Sequence, residues 1–164
     1  MILKNKVYLS TIILSLIILV VSKTCAEIED VNINIDGFII KNPQIVYKDV
    51  NAKMATGYFE IENTNNFDEK LMFVTGDISN RIEIHNTKMD DGVMKMYKID
   101  NGIDLKKKDN FKFEPGKHHL MIMGIKKEIT NEDYILSLYF QKLKKRIDIN
   151  FKTISMKNKL KMEH

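Results

Sequence analysis

Residues 82–99 read IEIHNTKMDDGVMKMYKI, two runs rich in Ile, Met, Val and Tyr around the tripeptide Asp90-Asp91-Gly92. Asp-Gly between two such runs is a strong hairpin signal, because both central residues of a type I′ turn need positive φ. The stretch therefore predicts two antiparallel strands. Working outward, the same pattern recurs as NINIDGFII (32–40), ATGYFEIEN (55–63), KLMFVTGDI (70–78), HHLMIMGI (118–125), DYILSLYFQ (133–141) and RIDINFKTI (146–154). Breakers sit between or beside the runs at Asp36-Gly37, 63–66, Asn101-Gly102 and Pro115-Gly116, and Asn101-Gly102 extends the expected local hairpins to about residue 107. No long helical period interrupts them. Seven to nine short strands at this spacing predict an all-β single domain, an antiparallel sandwich or barrel.

The chain has 164 residues, 44% of them hydrophobic and 29% charged, enough for one domain core and too apolar for disorder. The first 26 residues, MILKNKVYLSTIILSLIILVVSKTCA, have two lysines, then an uncharged run from Val7 to Val21, then a small residue at the exit. This is the layout of a secretory signal cleaved after Ala26. The apolar run is short for a spanning helix, although a retained N-terminal anchor would use the same residues. Lys23 and Thr24 argue against a lipid-modified Cys25. The domain is then expected over 27–154, followed by a basic flexible tail at 155–164 that lacks strand character.

Net charge is +4, from 26 basic and 22 acidic residues. Three lysines and no acid lie in the signal, which leaves 26−3=23 basic against 22 acidic groups in the rest of the chain. That remainder is polarised: 27–140 carries 15 basic and 20 acidic groups, 141–164 carries 8 and 2. A mildly acidic body argues against nucleic acid as the partner, and any membrane contact is expected only through the N-terminal segment or the basic tail. Cleavage would also remove Cys25, the single thiol, leaving no disulfide, thiolate nucleophile or thiolate ligand.

Three of the four histidines lie within 85–119, and five of the ten methionines (Met89, Met94, Met96, Met121, Met123) lie within 89–123. Strand alternation puts His119, Met121 and Met123 on one face, with His118, Leu120 and Ile122 on the other; Met94 and Met96 also share a face. Thioether sulfur is a soft neutral donor that suits Cu(I), and imidazole is borderline and suits Cu and Zn. Taken singly, a methionine on a strand is core packing and a histidine is a hydrogen-bonded rim residue. Their joint spacing is what singles them out.

That spacing resembles the PCuAC family of periplasmic copper chaperones, whose pattern is His, ten residues, Met, about twenty-one residues, His-x-Met. Here ten residues separate His85 from Met96, and His119-Leu120-Met121 closes the pattern. The flanks GYFEIEN (57–63), IEIHNTKMDDGVMKMYKI (82–99) and EPGKHHLMIMGIKKEI (114–129) agree with it, so the resemblance covers roughly 55–150. The gap from Met96 to His119 holds 22 residues, one more than the pattern, which a one-residue insertion in a loop at 101–113 would explain.

The resemblance implies a cupredoxin-like β-sandwich (Greek key) of the cell envelope. It implies a Cu(I) site made by His85, Met96, His119 and Met121 at a solvent-accessible edge, and delivery of the ion to the CuA centre of cytochrome c oxidase, with no enzymatic activity. Met94 and Met123 are then expected to pack beside the ligands, and Met89 and His118 to be surface residues. Some family members carry a His/Met-rich C-terminal extension that holds Cu(II); Met156, Met162 and His164 are the only such residues here. A blue-copper electron carrier would need a Cys thiolate that the mature chain lacks. No HExxH or Gly-x-Ser-x-Gly run supports a zinc enzyme or a hydrolase. The rival from another class is a metal-free envelope interaction domain in which the same side chains are core and rim.

Overall fold

A computed structural model describes residues 31–130 and 132–156. The expected signal segment at 1–26 and the tail from 157 lie outside the described residues. Among the described residues eleven strands follow in chain order: β1 (Asn32–Ile35), β2 (Phe38–Tyr47), β3 (Met54–Asn63), β4 (Glu69–Gly76), β5 (Arg81–Asp90), β6 (Val93–Lys98), β7 (Ile103–Leu105), β8 (Asn110–Phe113), β9 (His118–Met123), β10 (Tyr134–Phe140) and β11 (Lys145–Ser155). The count exceeds the seven to nine expected for two local reasons. Asp36 and Gly37, both at positive φ, split the first run into a β1–β2 hairpin, and the stretch 101–113 holds β7 and β8 instead of being a loop.

One sheet runs β6-β5-β9-β3-β2, with β1 adding to β2 and β8 to β3. The other joins β7, β4, β10 and β11. β11 ties them together, because residues 145–151 pair with β10 while Lys152–Ser155 pair in parallel with β2. β2 accommodates two different edge partners through a bulge at Asn42-Pro43, where the register shifts and Asn42 takes a positive φ.

Alternation sets the layers. Gly57, Phe59 and Ile61 of β3, Ile84 of β5, and Leu120 and Ile122 of β9 turn inward, where they meet Leu136, Leu138, Ile147, Ile149 and Phe151 of the second sheet. Phe38 stacks on Phe140 at 4.4 Å between ring centroids, and Phe59 meets Phe151 edge-on at 5.5 Å. Each fully buried side chain of this size contributes about 1.5–3 kcal/mol through its removal from water. The outward residues of β5, β6 and β9 are free to do something else.

The hairpin expected at Asp90-Asp91-Gly92 is present, with Asp91 at φ 50° and Gly92 at φ 77°, both positive as a type I′ turn requires. The hairpin expected after Asn101-Gly102 is not. β7 leaves β6 and pairs with β4. Gly102 sits where a Cβ would lie 2.4 Å from the Leu71 carbonyl oxygen, so the turn packs directly on the β4 backbone and carries the chain across to the second sheet.

Candidate metal site

β5 is the central strand of the arrangement, paired with β9 through Arg81–Asn86 and with β6 through His85–Asp90. Directly paired residues of antiparallel strands share a face. His85 is opposite His119, and Met121 is opposite Glu83, two residues along the same face. On the other side of β5, His85 is opposite Lys98 and Thr87 is opposite Met96. The four residues singled out by spacing therefore share the outer face of three adjacent strands.

The imidazoles are the geometric centre. Their ring centroids are 5.9 Å apart. A ligated ring nitrogen lies about 2 Å from a metal, so two rings bound to one ion can have centroids up to about 6.4 Å apart. The pair fits that limit.

One nitrogen of each ring is committed to the protein. His85 Nε2 donates to Glu83 Oε2 at 2.8 Å, and His119 Nδ1 donates to the Lys117 carbonyl at 3.0 Å. In a neutral imidazole this fixes the tautomer and leaves the other nitrogen as a lone pair. Those lone pairs are His85 Nδ1 and His119 Nε2, the two buried side-chain atoms without a hydrogen-bond partner among the described residues. A buried polar atom left unpaired costs about 1–3 kcal/mol. A metal-binding histidine has the same layout, with one nitrogen held by an outer partner and the other kept for the ion.

Glu83 was not singled out by sequence. The signal for it is Glu83-x-His85 on a strand, a spacing that puts carboxylate and ring on one face. The His85 hydrogen bond holds the Glu83 carboxyl below its ordinary range; partial burial opposes this and Arg81 reinforces it. Met54 was also missed, because its place beside Met123 depends on the β3–β9 register. Met54, Met89, Met94, Met96, Met121 and Met123 all share the outer face with His85 and His119.

Burial divides the set. His119 is buried, His85 and Met121 are half-buried, and Met96 is 51% exposed. The expected open edge is thus a sheet face with exposed sulfur and covered imidazole. His118 is not a surface residue: it is half-buried on the inward side, with its ring 4.8 Å from that of Phe111. Burial, with Lys88 and His119 nearby, lowers its pKa below the ordinary value. Met89 is exposed as expected, Met94 is exposed rather than packed, and Met123 is half-buried. Among the described residues no group of three or more His, Cys, Asp or Glu side chains is placed to hold a metal. A site here has to draw on thioether.

The chain matches the family described as "Putative lipoprotein LpqE-like" over residues 38–152. Among solved structures it is similar to the copper-bound PCuAC domain from PmoF2, at 16% identity and a TM-score of 0.62 over 76% of this chain and 98% of that one. The apo PCuAC domain from PmoF1 gives 17% identity and the same TM-score, over 76% of this chain and 99% of that one. Apo-DR1885 from Deinococcus radiodurans gives 12% and 0.57, over 81% and 89%. At these identities the likeness shows the fold, a cupredoxin-like β-sandwich. A curated relative, the uncharacterized protein RP573 of Rickettsia prowazekii (strain Madrid E), is 34% identical over 83 residues, which span 51% of this chain and 46% of that protein.

Proposed function

We propose that this chain, which belongs to the LpqE-like family of putative lipoproteins, is a copper chaperone of the cell envelope. It binds Cu(I) through His85, Met96, His119 and Met121 and passes it on without catalysing a reaction. The observation that carries this reading is the pair of buried, unpartnered ring nitrogens on directly opposed residues, with thioethers on the same face. Copper in one of the similar PCuAC domains and the His, Met, His-x-Met spacing support the same reading. The family description supports placement in the envelope.

The donor set suits delivery. Neutral imidazole and thioether release Cu(I) without taking up the protons that a thiolate site would require. Glu83 and the Lys117 carbonyl hold the rings in the ligating tautomer, so binding needs little reorganisation. Met96 on the exposed hairpin is the donor that an acceptor's ligands can displace first, and the buried His119 is the last to let go. Delivery to the CuA centre of cytochrome c oxidase is the destination that the sequence pattern favours.

Anaerobic titration of the full chain with Cu(I) against a competing chelator tests the binding. One tight equivalent is expected, lost in M96I/M121I, which exchanges thioether for hydrocarbon of similar bulk. Unchanged affinity in that variant overturns the ligand assignment, and no binding by the parent chain leaves the metal-free interaction domain. Anaerobic transfer of bound Cu(I) to a purified CuA domain tests the destination.

A further inference from the structure

The thioethers that the site above does not use are not scattered. Met89 and Met94 are directly opposite each other on β5 and β6, on the same outer face as Met96. In a two-residue hairpin the closing pair, here Asp90 and Val93, exchanges ladder hydrogen bonds, so the next pair falls in the position where side chains come closest. Exposure is 65% for Met89, 52% for Met94 and 51% for Met96. Methionine's usual task, filling gaps in a core, does not account for three such side chains clustered on one exposed arm. The arm extends past its neighbour, since β9 pairs with β5 only as far as Asn86. Of the charged groups near its tip, Asp91 sits in the turn itself, and Lys88, Asp90 and Lys95 belong to the opposite face, where Lys95 and Tyr97 both bond Asp90. On the sulfur face Met89 is paired with Met94, and the cation on that face of β6, Lys98, stands toward the base opposite His85, where Asp100 holds it at 2.7 Å.

We propose that the tip of the β5–β6 hairpin is a second site for a soft monovalent cation, clasped by the thioethers of Met89 and Met94, with Met96 as a donor shared with the His85–His119 centre. Cβ atoms of directly opposed residues lie about 5 Å apart, and a thioether reaches far enough for two sulfurs to approach one ion at about 2.3 Å each. Four residues of strand separate Met89 from His85, about 13 Å. Met96, opposite Thr87, stands midway along that distance. A weakly held ion at the tip can therefore move inward by exchanging one sulfur at a time. All-sulfur ligation excludes Mg and Ca, and the lack of thiolate or imidazole at the tip disfavours Zn.

The site goes beyond the proposed function and can stand or fall separately from it. The test is titration of the full chain, labelled with 13C at its methionine methyls, with Ag(I) as a redox-inert probe and then with Cu(I) under anaerobic conditions. The first equivalent should move the Met96 and Met121 methyls, and a second, weaker equivalent those of Met89 and Met94. In M89I/M94I the second equivalent should vanish while the first keeps its affinity. Both positions are more than half exposed, so the fold should persist. Unmoved Met89 and Met94 methyls, or undiminished stoichiometry in the variant, overturn the tip site. Movement at the tip with no tight first equivalent sustains it and overturns the His-centred reading instead.

Discussion

Replacing His119 by Leu removes the most deeply buried of the unpartnered ring nitrogens and should stabilise the metal-free protein. His119 is 4% exposed, and its Nε2 has no hydrogen-bond partner. Relieving that desolvated lone pair is worth about 1–3 kcal/mol, from which about 1 kcal/mol is subtracted for the lost bond from Nδ1 to the Lys117 carbonyl. That carbonyl is not orphaned by the change, because it still accepts from the Thr87 amide at 3.2 Å. The net gain is up to about 2 kcal/mol, with roughly 3–5 °C in Tm per kcal/mol for a domain of this size. The assay is thermal unfolding of parent and variant, each with and without Cu(I). The parent should gain stability with copper, by about 2.7 kcal/mol when free ion is a hundredfold above Kd, and the variant should lose most of that increment. A variant that unfolds well below the parent without copper, or one whose copper increment is undiminished, refutes the idea that this nitrogen is held in reserve for a metal.

Glu83→Gln replaces the carboxylate that orients His85 with a neutral amide, and outer partners of this kind are worth about 10–100-fold in metal affinity. Competition titration should show that loss, with an unchanged circular dichroism spectrum. Gly57→Ala would put a Cβ 3.1 Å from Leu120 on the neighbouring strand, between His119 and Met121. The overpacking should cost about 1–3 kcal/mol in denaturant unfolding and weaken copper binding with it. Glu60 gives the pH dependence. Burial pushes its carboxyl up, but bonds from Lys112 and Lys41 outweigh this and hold it below the ordinary glutamate value. A depressed folded-state pKa gives stability that is present above the unfolded value and lost as pH falls through the folded one. Unfolding titrations below about pH 4.5 should therefore be less steep in pH for E60Q than for the parent chain.

What could be read from sequence was what repeats every two residues or depends on a local turn. The Asp91-Gly92 hairpin and the alternation in HHLMIM are of that kind, and Leu120 and Ile122 are buried where alternation puts them. The face carrying His119 and Met121 follows from the same rule. What stayed hidden depends on register between strands far apart in the chain. The crossing of β7 to β4 rests on Gly102 fitting against the Leu71 carbonyl, and no local pattern records that contact. β8 and the split pairing of β11 are non-local in the same way. The burial of His119, which turned an expected open rim into a covered ring pair, follows from a central position between β5 and β3. Met54 joined the sulfur face only through its pairing with Met123.

X-ray absorption at the copper K-edge of the Cu(I)-loaded full chain is the most direct measurement of the proposed centre. Mixed first-shell scattering is predicted, with imidazole nitrogen near about 2.0 Å and sulfur near about 2.3 Å, the sulfur contribution falling in M96I/M121I. A shell of nitrogen and oxygen alone, or a spectrum that the substitution leaves unchanged, contradicts it.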